Sequence, residues 1–97
     1  MIDGIVSADG TRLILSGSLN FDTTSILVKQ LVDLPLLSVK TVDLQKLERV
    51  DTAGVACLVW LATKKIKHSP LEMDYCSDKL AKLLEVTAVR SFFRIKS

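Results

Sequence analysis

The sequence has few of the residues that hold metals or covalent frameworks. Of its 97 residues two are cysteine, Cys57 and Cys76, and one is histidine, His68. Both cysteines sit in apolar stretches without CxxC spacing. That excludes a zinc site and a disulfide scaffold, and leaves the expectation of free buried thiols in a reducing compartment. Two prolines and four glycines are too few for a linker-rich chain, and 48% hydrophobic with 25% charged residues predicts one globular domain over 1–97. An excess of one charge is also missing: 13 basic and 11 acidic residues give +2, scattered rather than striped, so no nucleic-acid partner is expected. The longest unbroken apolar run, VACLVWLA at 55–62, is far short of the about 20 residues that a membrane span needs, so no direct membrane insertion is expected. The amino terminus, MIDGIVSADG, has an acid at Asp3 and no basic region before an apolar run, unlike a secretory signal, and predicts a cytoplasmic location. With no P-loop and no GxGxxG, no cofactor is expected.

What is present is an alternation of strand and helix signals. Ile2, Ile5 and Val6, the turn dipeptide Asp9-Gly10, and Leu13 and Leu15 alternating with Arg12 and Ile14 predict an opening hairpin. In SLNFDTTSILVKQLVDL, Asp22 reads as an N-cap between the staple residues Phe21 and Ile26. The helix it predicts runs from Thr23 to Asp33, with Ile26, Leu27, Leu31 and Leu34 at the helical period, and Pro35 stops it. TVDLQ at 41–45 reads as a third strand. The capping logic then recurs with Val50, Asp51 and Val55, and a second helix is expected to reach about Lys67 before His68-Ser69-Pro70. LEMDYC gives a fourth strand and Ser77 caps a third helix over DKLAKLLEV, while RSFFRIK fits either a short helix or a last strand. The order β-β-α-β-α-β-α predicts an α/β fold: a mixed sheet of four to five strands, its strand-helix-strand units parallel with right-handed crossovers, and three or four helices packed on it. Its strand ends should bring the loops GSLNFD and LERVD together, gathering Asn20, Asp22, Asp51 and Thr52 at one end with Gly54 on the rim.

RVDTAGVACLVWLA at 49–62 places a polar pair directly before an apolar run. Thr52 falls in the first turn of a helix, where unpaired amides and the positive end of the macrodipole favour a negative group. A phosphate there would add about −1.5 to −2 charges beside Asp51 and act as a switch; alternatively Asp51 and Thr52 only cap the helix. At 100° per residue Thr52, Ala56, Val59, Trp60 and Thr63 share one face, and Val55, Leu58, Ala62 and Ile66 share another that suits a sheet. Two apolar faces require two partners. The first face is either an interaction surface anchored by the only tryptophan, or it is closed by Trp60 packing under the carboxyl-terminal tail. Catalysis has little support: His68 lies about 24 Å from Thr52 along a helix rising 1.5 Å per residue, and no paired carboxylates or metal spacing appear.

VDL at 42–44 followed by VDTAGV at 50–55 resembles the STAS domain pattern of a strand, a loop and D-[ST]-x-G-[hydrophobic] opening a helix. GSLNFDTT at 17–24 resembles that family's G-x-L-[DN] loop, and SDKLAKLLEVTAVRSFF its terminal helix and tail, so the likeness covers nearly the whole chain. The family includes anti-sigma factor antagonists, modules of sulfate transporters, and the small MlaB-type subunit that sits on the cytoplasmic ATPase of a phospholipid transporter. Antagonists usually have serine where Thr52 stands, as phosphoacceptor, and often glycine in place of Ala56. DTAG before a long apolar helix is more similar to the MlaB type. That resemblance implies a non-enzymatic subunit that contacts an ABC-type ATPase, and through it a membrane permease, by Thr52, Ala56, Val59, Trp60 and Thr63. It implies the inner-membrane periphery as its place. The alternative it leaves open is an antagonist phosphorylated at Thr52 by an anti-sigma factor kinase.

Overall fold

The computed structural model describes residues 1–96. The chain begins with a hairpin, β1 (Ile2–Val6) and β2 (Arg12–Leu19), paired antiparallel with Val6 opposite Leu13. Asp9 closes the turn: its carboxylate accepts hydrogen bonds from the Ser7 hydroxyl at 2.7 Å and from the Thr11 amide and hydroxyl at 3.0 and 2.8 Å. These donors, the Ser7 hydroxyl foremost, lower its pKa from 3.8 to about 2. Gly10 follows with φ +78°, a left-handed conformation that glycine adopts without Cβ strain.

Three crossovers then lay down parallel strands. The helix α1 (Thr24–Val32) leads to β3 (Thr41–Val50), α2 (Thr52–Trp60) leads to β4 (Leu71–Asp74), and α3 (Asp78–Val86) leads to β5 (Phe93–Lys96). The sheet order is β1-β2-β3-β4-β5, with every pair after the first parallel, so the fold is the expected α/β mixed sheet with three helices. A parallel neighbour requires a crossover, and each helix supplies one. The ambiguous RSFFRIK segment does both things in turn: a 3-10 turn over Arg90–Phe92, then β5 on the edge of β4.

Alternation divides the sheet into two chemically different faces. Ile2, Leu13, Leu15, Val42, Leu44, Leu71, Met73 and Phe93 are buried on the inner face. There α2 lies between α1 and α3. Helical spacing supplies the other half of this core through the pairs Leu27 with Leu31 and Leu80 with Leu84, each four residues apart. Burial of one such leucine contributes about 1.5–3 kcal/mol. The opposite face carries an ion lattice that only the strand register creates, because Asp43 stands beside Asp74 and Glu72 beside Arg94. The Arg12 guanidinium bridges Asp43 at 3.0 Å and Asp74 at 2.7 Å, and Glu72 accepts from Lys96 at 3.2 Å. Burial pushes the Asp43 carboxyl up, but the Gln45 amide and Arg12 outweigh it and hold it below the usual carboxylate range.

Four expectations are corrected. Strand β3 does not stop at Gln45; it continues to Val50, pairing only with β2 after Asp43 through two register shifts, which is why its charged second half KLERV lacks strand-like alternation. The helix α2 ends at Trp60 and passes into a π turn, Leu61–Lys65, closed by the Ile66 amide donating to the Leu61 carbonyl at 2.8 Å, so regular helix does not reach Lys67. That wider turn rotates the inner face: Leu61 and Ile66 are buried, whereas Ala62 is only half-buried. The fourth strand ends at Asp74, since Tyr75 with φ +61° turns the chain away. Finally, α1 begins at Thr24 with Thr23 in the N-cap position, not Asp22. The intended staple is open as well, with Phe21 80% and Ile26 43% exposed.

Candidate docking site

The carboxyl ends of β2 and β3 converge on one side chain. Asp51 has the extended backbone of an N-cap, φ −106° and ψ −172°, and its Oδ1 accepts the Gly54 amide at 2.9 Å. Its Oδ2 accepts the Phe21 amide at 3.1 Å, and its own amide donates to the Leu19 carbonyl at 3.2 Å. One carboxylate therefore both caps α2 and ties the β2–α1 loop to it, which brings the two loops together as the strand order predicts. Gly54 makes the approach possible: a Cβ there would collide with the Leu19 carbonyl oxygen and come within 2.8 Å of Val50 Cγ1. The spacing between cap and glycine is thus set by contact with β2 as well as by helix geometry.

The β2–α1 loop has its own closed network. Asn20 Oδ1 accepts the amides of Asp22 at 2.9 Å and Thr23 at 3.2 Å. The hydroxyl of Thr23, a residue only 8% exposed, accepts the Asn20 amide at 2.9 Å and donates to the Ser18 carbonyl at 2.7 Å. Asp22 itself makes no side-chain hydrogen bond or ion pair among the described residues and is exposed. Its role on the rim is therefore that of a free charge, and the loop's order comes from Asn20 and Thr23.

Along α2 and the π turn that follows it, the five residues of the outward face differ in exposure. Thr52, Ala56 and Thr63 are exposed; Val59 and Trp60 are half-buried and pack against the core cluster. Trp60 is neither fully covered nor free. The Thr63 hydroxyl donates to the Val59 carbonyl at 2.8 Å, whereas the Thr52 hydroxyl has no hydrogen bond among the described residues. After Thr63 come the exposed Lys64 and the half-buried Lys65, which lie in the last turn of the helical segment and suit its negative pole. Beside Asp51, on the side of β3 that β4 leaves unpaired, a cleft of about 570 Å³ is lined by Asn20, Leu44, Leu47, Tyr75 and Leu80, with Arg49 and Lys79 among its charges. This cleft could not be read from the chain, because it depends on β3 outlasting β4.

The residue types that most often carry catalysis lie apart from Thr52. His68 pairs with Glu72 at 3.4 Å, far along the chain from the loop that carries Thr52. Cys57 is buried, and burial pushes its thiol up to about 11, where the thiolate nucleophile is scarce at neutral pH. Among the described residues no group of three His, Cys, Asp or Glu side chains could hold a metal ion, and no helix is long and apolar enough to cross a membrane.

The feature that sequence reading missed is Phe21. Assigned to a helix staple, it is instead the most exposed aromatic of this end, fixed by its backbone to the cap of α2. Two adjacent capping candidates in FDTT were the available signal, since a cap at Thr23 in place of Asp22 shifts the staple by one residue.

In comparison with protein families, a family model described as "Mlab, STAS domain" matches residues 6–94. No curated protein matches the chain.

Proposed function

The chain belongs to the STAS domain family, and from that membership we propose that it is a non-catalytic accessory subunit of a phospholipid-transporting ABC complex. In this reading it docks on the cytoplasmic ATPase of that complex, and so lies at the inner-membrane periphery and serves outer-membrane lipid asymmetry. The observation that carries the proposal is the exposed stripe Thr52, Ala56 and Thr63, with Val59 and Trp60 half-buried beside it. It runs along a helix whose other sides are already used by β3, α1 and α3. The surface is small-residue-lined at its leading end and, among the described residues, leaves the Thr52 hydroxyl without an internal partner, which suits close approach by another protein. The test is copurification of the tagged chain from its native cell: an ABC-type ATPase and a permease are expected, and their absence contradicts the proposal.

A second reading has one observation in its favour. The same free, exposed hydroxyl of Thr52 at a helix amino terminus is accessible to an anti-sigma factor kinase, as in an antagonist switched by phosphorylation. It predicts a species heavier by about 80 Da, one phosphate, mapped to Thr52, together with recovery of a kinase in place of the ATPase.

A further inference from the structure

We propose that Phe21 is the principal apolar anchor of this docking surface, and that the ATPase meets it with an apolar socket bearing a basic residue on its rim, opposite Asp22. The inference rests on the reading that α2 faces such an ATPase, and it names the chemistry that the partner must offer.

A phenylalanine 80% exposed on a floppy loop would signify little. This one is held. Its amide is bonded to Asp51 Oδ2 at 3.1 Å, Asn20 Oδ1 takes the next two amides, and the buried Thr23 hydroxyl fastens the loop to Ser18. The carboxylate that holds Phe21 also holds Gly54, so the aromatic residue and the exposed Thr52 are fixed relative to one another through a single group. An aromatic ring on an already ordered backbone loses little freedom when a partner covers it, which is the usual condition of a binding hot spot. The ring is also unneeded by its own helix, since its would-be staple partner Ile26 is 43% exposed.

The charge pattern chooses the rim of the socket. Asp22, next to Phe21, is exposed and unpaired among the described residues, and at the other end of the stripe the exposed Lys64 follows Thr63. A complementary surface is therefore basic at the Phe21 end and acidic at the Lys64 end. By contrast, several charges of the outer sheet face are paired within the fold: Arg12 with Asp43 and Asp74, Lys96 with Glu72.

The experiment is titration of the purified chain with the purified ATPase that copurifies with it, using Phe21→Ser, Asp22→Lys and Thr52→Arg. Leu37→Ser is the control, because Leu37 is 74% exposed and precedes β3, at the opposite end of the sheet. Phe21→Ser should weaken binding about 30-fold, the effect of removing a hot spot, with its melting temperature unchanged. Asp22→Lys should weaken it less and lower its sensitivity to salt, and Leu37→Ser should match the parent. If Thr52→Arg abolishes binding while Phe21→Ser binds like the parent, the anchor is refuted and the docking face stands. If Phe21→Ser fails but Asp22→Lys binds as before, the basic rim is refuted. If no variant changes binding, or no ATPase associates, the docking reading falls and takes the anchor with it.

Discussion

Phe21-Asp22-Thr23 and Val50-Asp51-Thr52 are nearly the same tripeptide, each at the end of a strand and each leading into a helix, yet the fold uses them in opposite ways. At the first, threonine is inside and aspartate free: the Thr23 hydroxyl is buried with two strong partners, Asp22 faces solvent and Phe21 stands out. At the second, aspartate is engaged on both oxygens, Val50 is half-buried, Val55 is buried, and threonine is the residue left free. The difference comes from one step of register. With Asn20 able to accept two amides, the first helix starts a residue later and its cap falls on Thr23. The second has no such residue before it, so Asp51 caps. What this teaches is that a capping motif defines a helix start, and its neighbours decide which side chain is spent on structure and which is left for a partner.

The largest break in the comparison should come from Gly54→Val, which drives a side chain into the Leu19 carbonyl and Val50. It should lower unfolding free energy by about 3 kcal/mol or more, at the upper end of overpacking costs, seen as a fall in denaturation midpoint. Next, Thr23→Val should cost about 1–3 kcal/mol by leaving the Asn20 amide and Ser18 carbonyl without their partner, whereas Thr52→Val should stay within about 0.5 kcal/mol. Equal losses in urea unfolding would erase the distinction. The aspartates should rank the other way: Asp51→Ala should cost about 1–2 kcal/mol as a lost cap, and Asp22→Ala should stay within about 0.5 kcal/mol.

A third aspartate sharpens the point at acid pH. Asp9 is engaged through one carboxylate oxygen by three donors, and its pKa falls from 3.8 to about 2. A carboxyl lowered in the folded state contributes stability that is complete above the unfolded value and is lost as pH falls through the folded one. The Asp9 contribution should therefore drain away between pH 3.8 and about 2. Asp9→Asn should flatten thermal stability across that window and change its slope little near neutrality.

Much of the fold was legible in the sequence because its signals are local. The hairpin dipeptide, the alternation in LILSG and LEMD, and Ser77 before DKLAKLLEV each act within a few residues, and α3 occupies the predicted span Asp78–Val86. The site was half legible. The Asp51 cap and the meeting of the two loops follow from chain order, but the bond from Phe21 to Asp51 joins residues thirty apart in sequence. The π turn after Trp60 could not be read either, because LATKK satisfies ordinary helix propensity and only burial of Leu61 and Ile66 together selects the wider turn. The Arg12 lattice likewise needed the register of three strands.

The most direct test of the account is Thr52→Arg, assayed in parallel for association with the copurified ATPase and for thermal unfolding. The account predicts that association is lost while the melting temperature stays within about 2 °C of the parent, as expected when an exposed side chain meets only a partner. Undiminished association would contradict it, and so would a loss of association that simply follows unfolding.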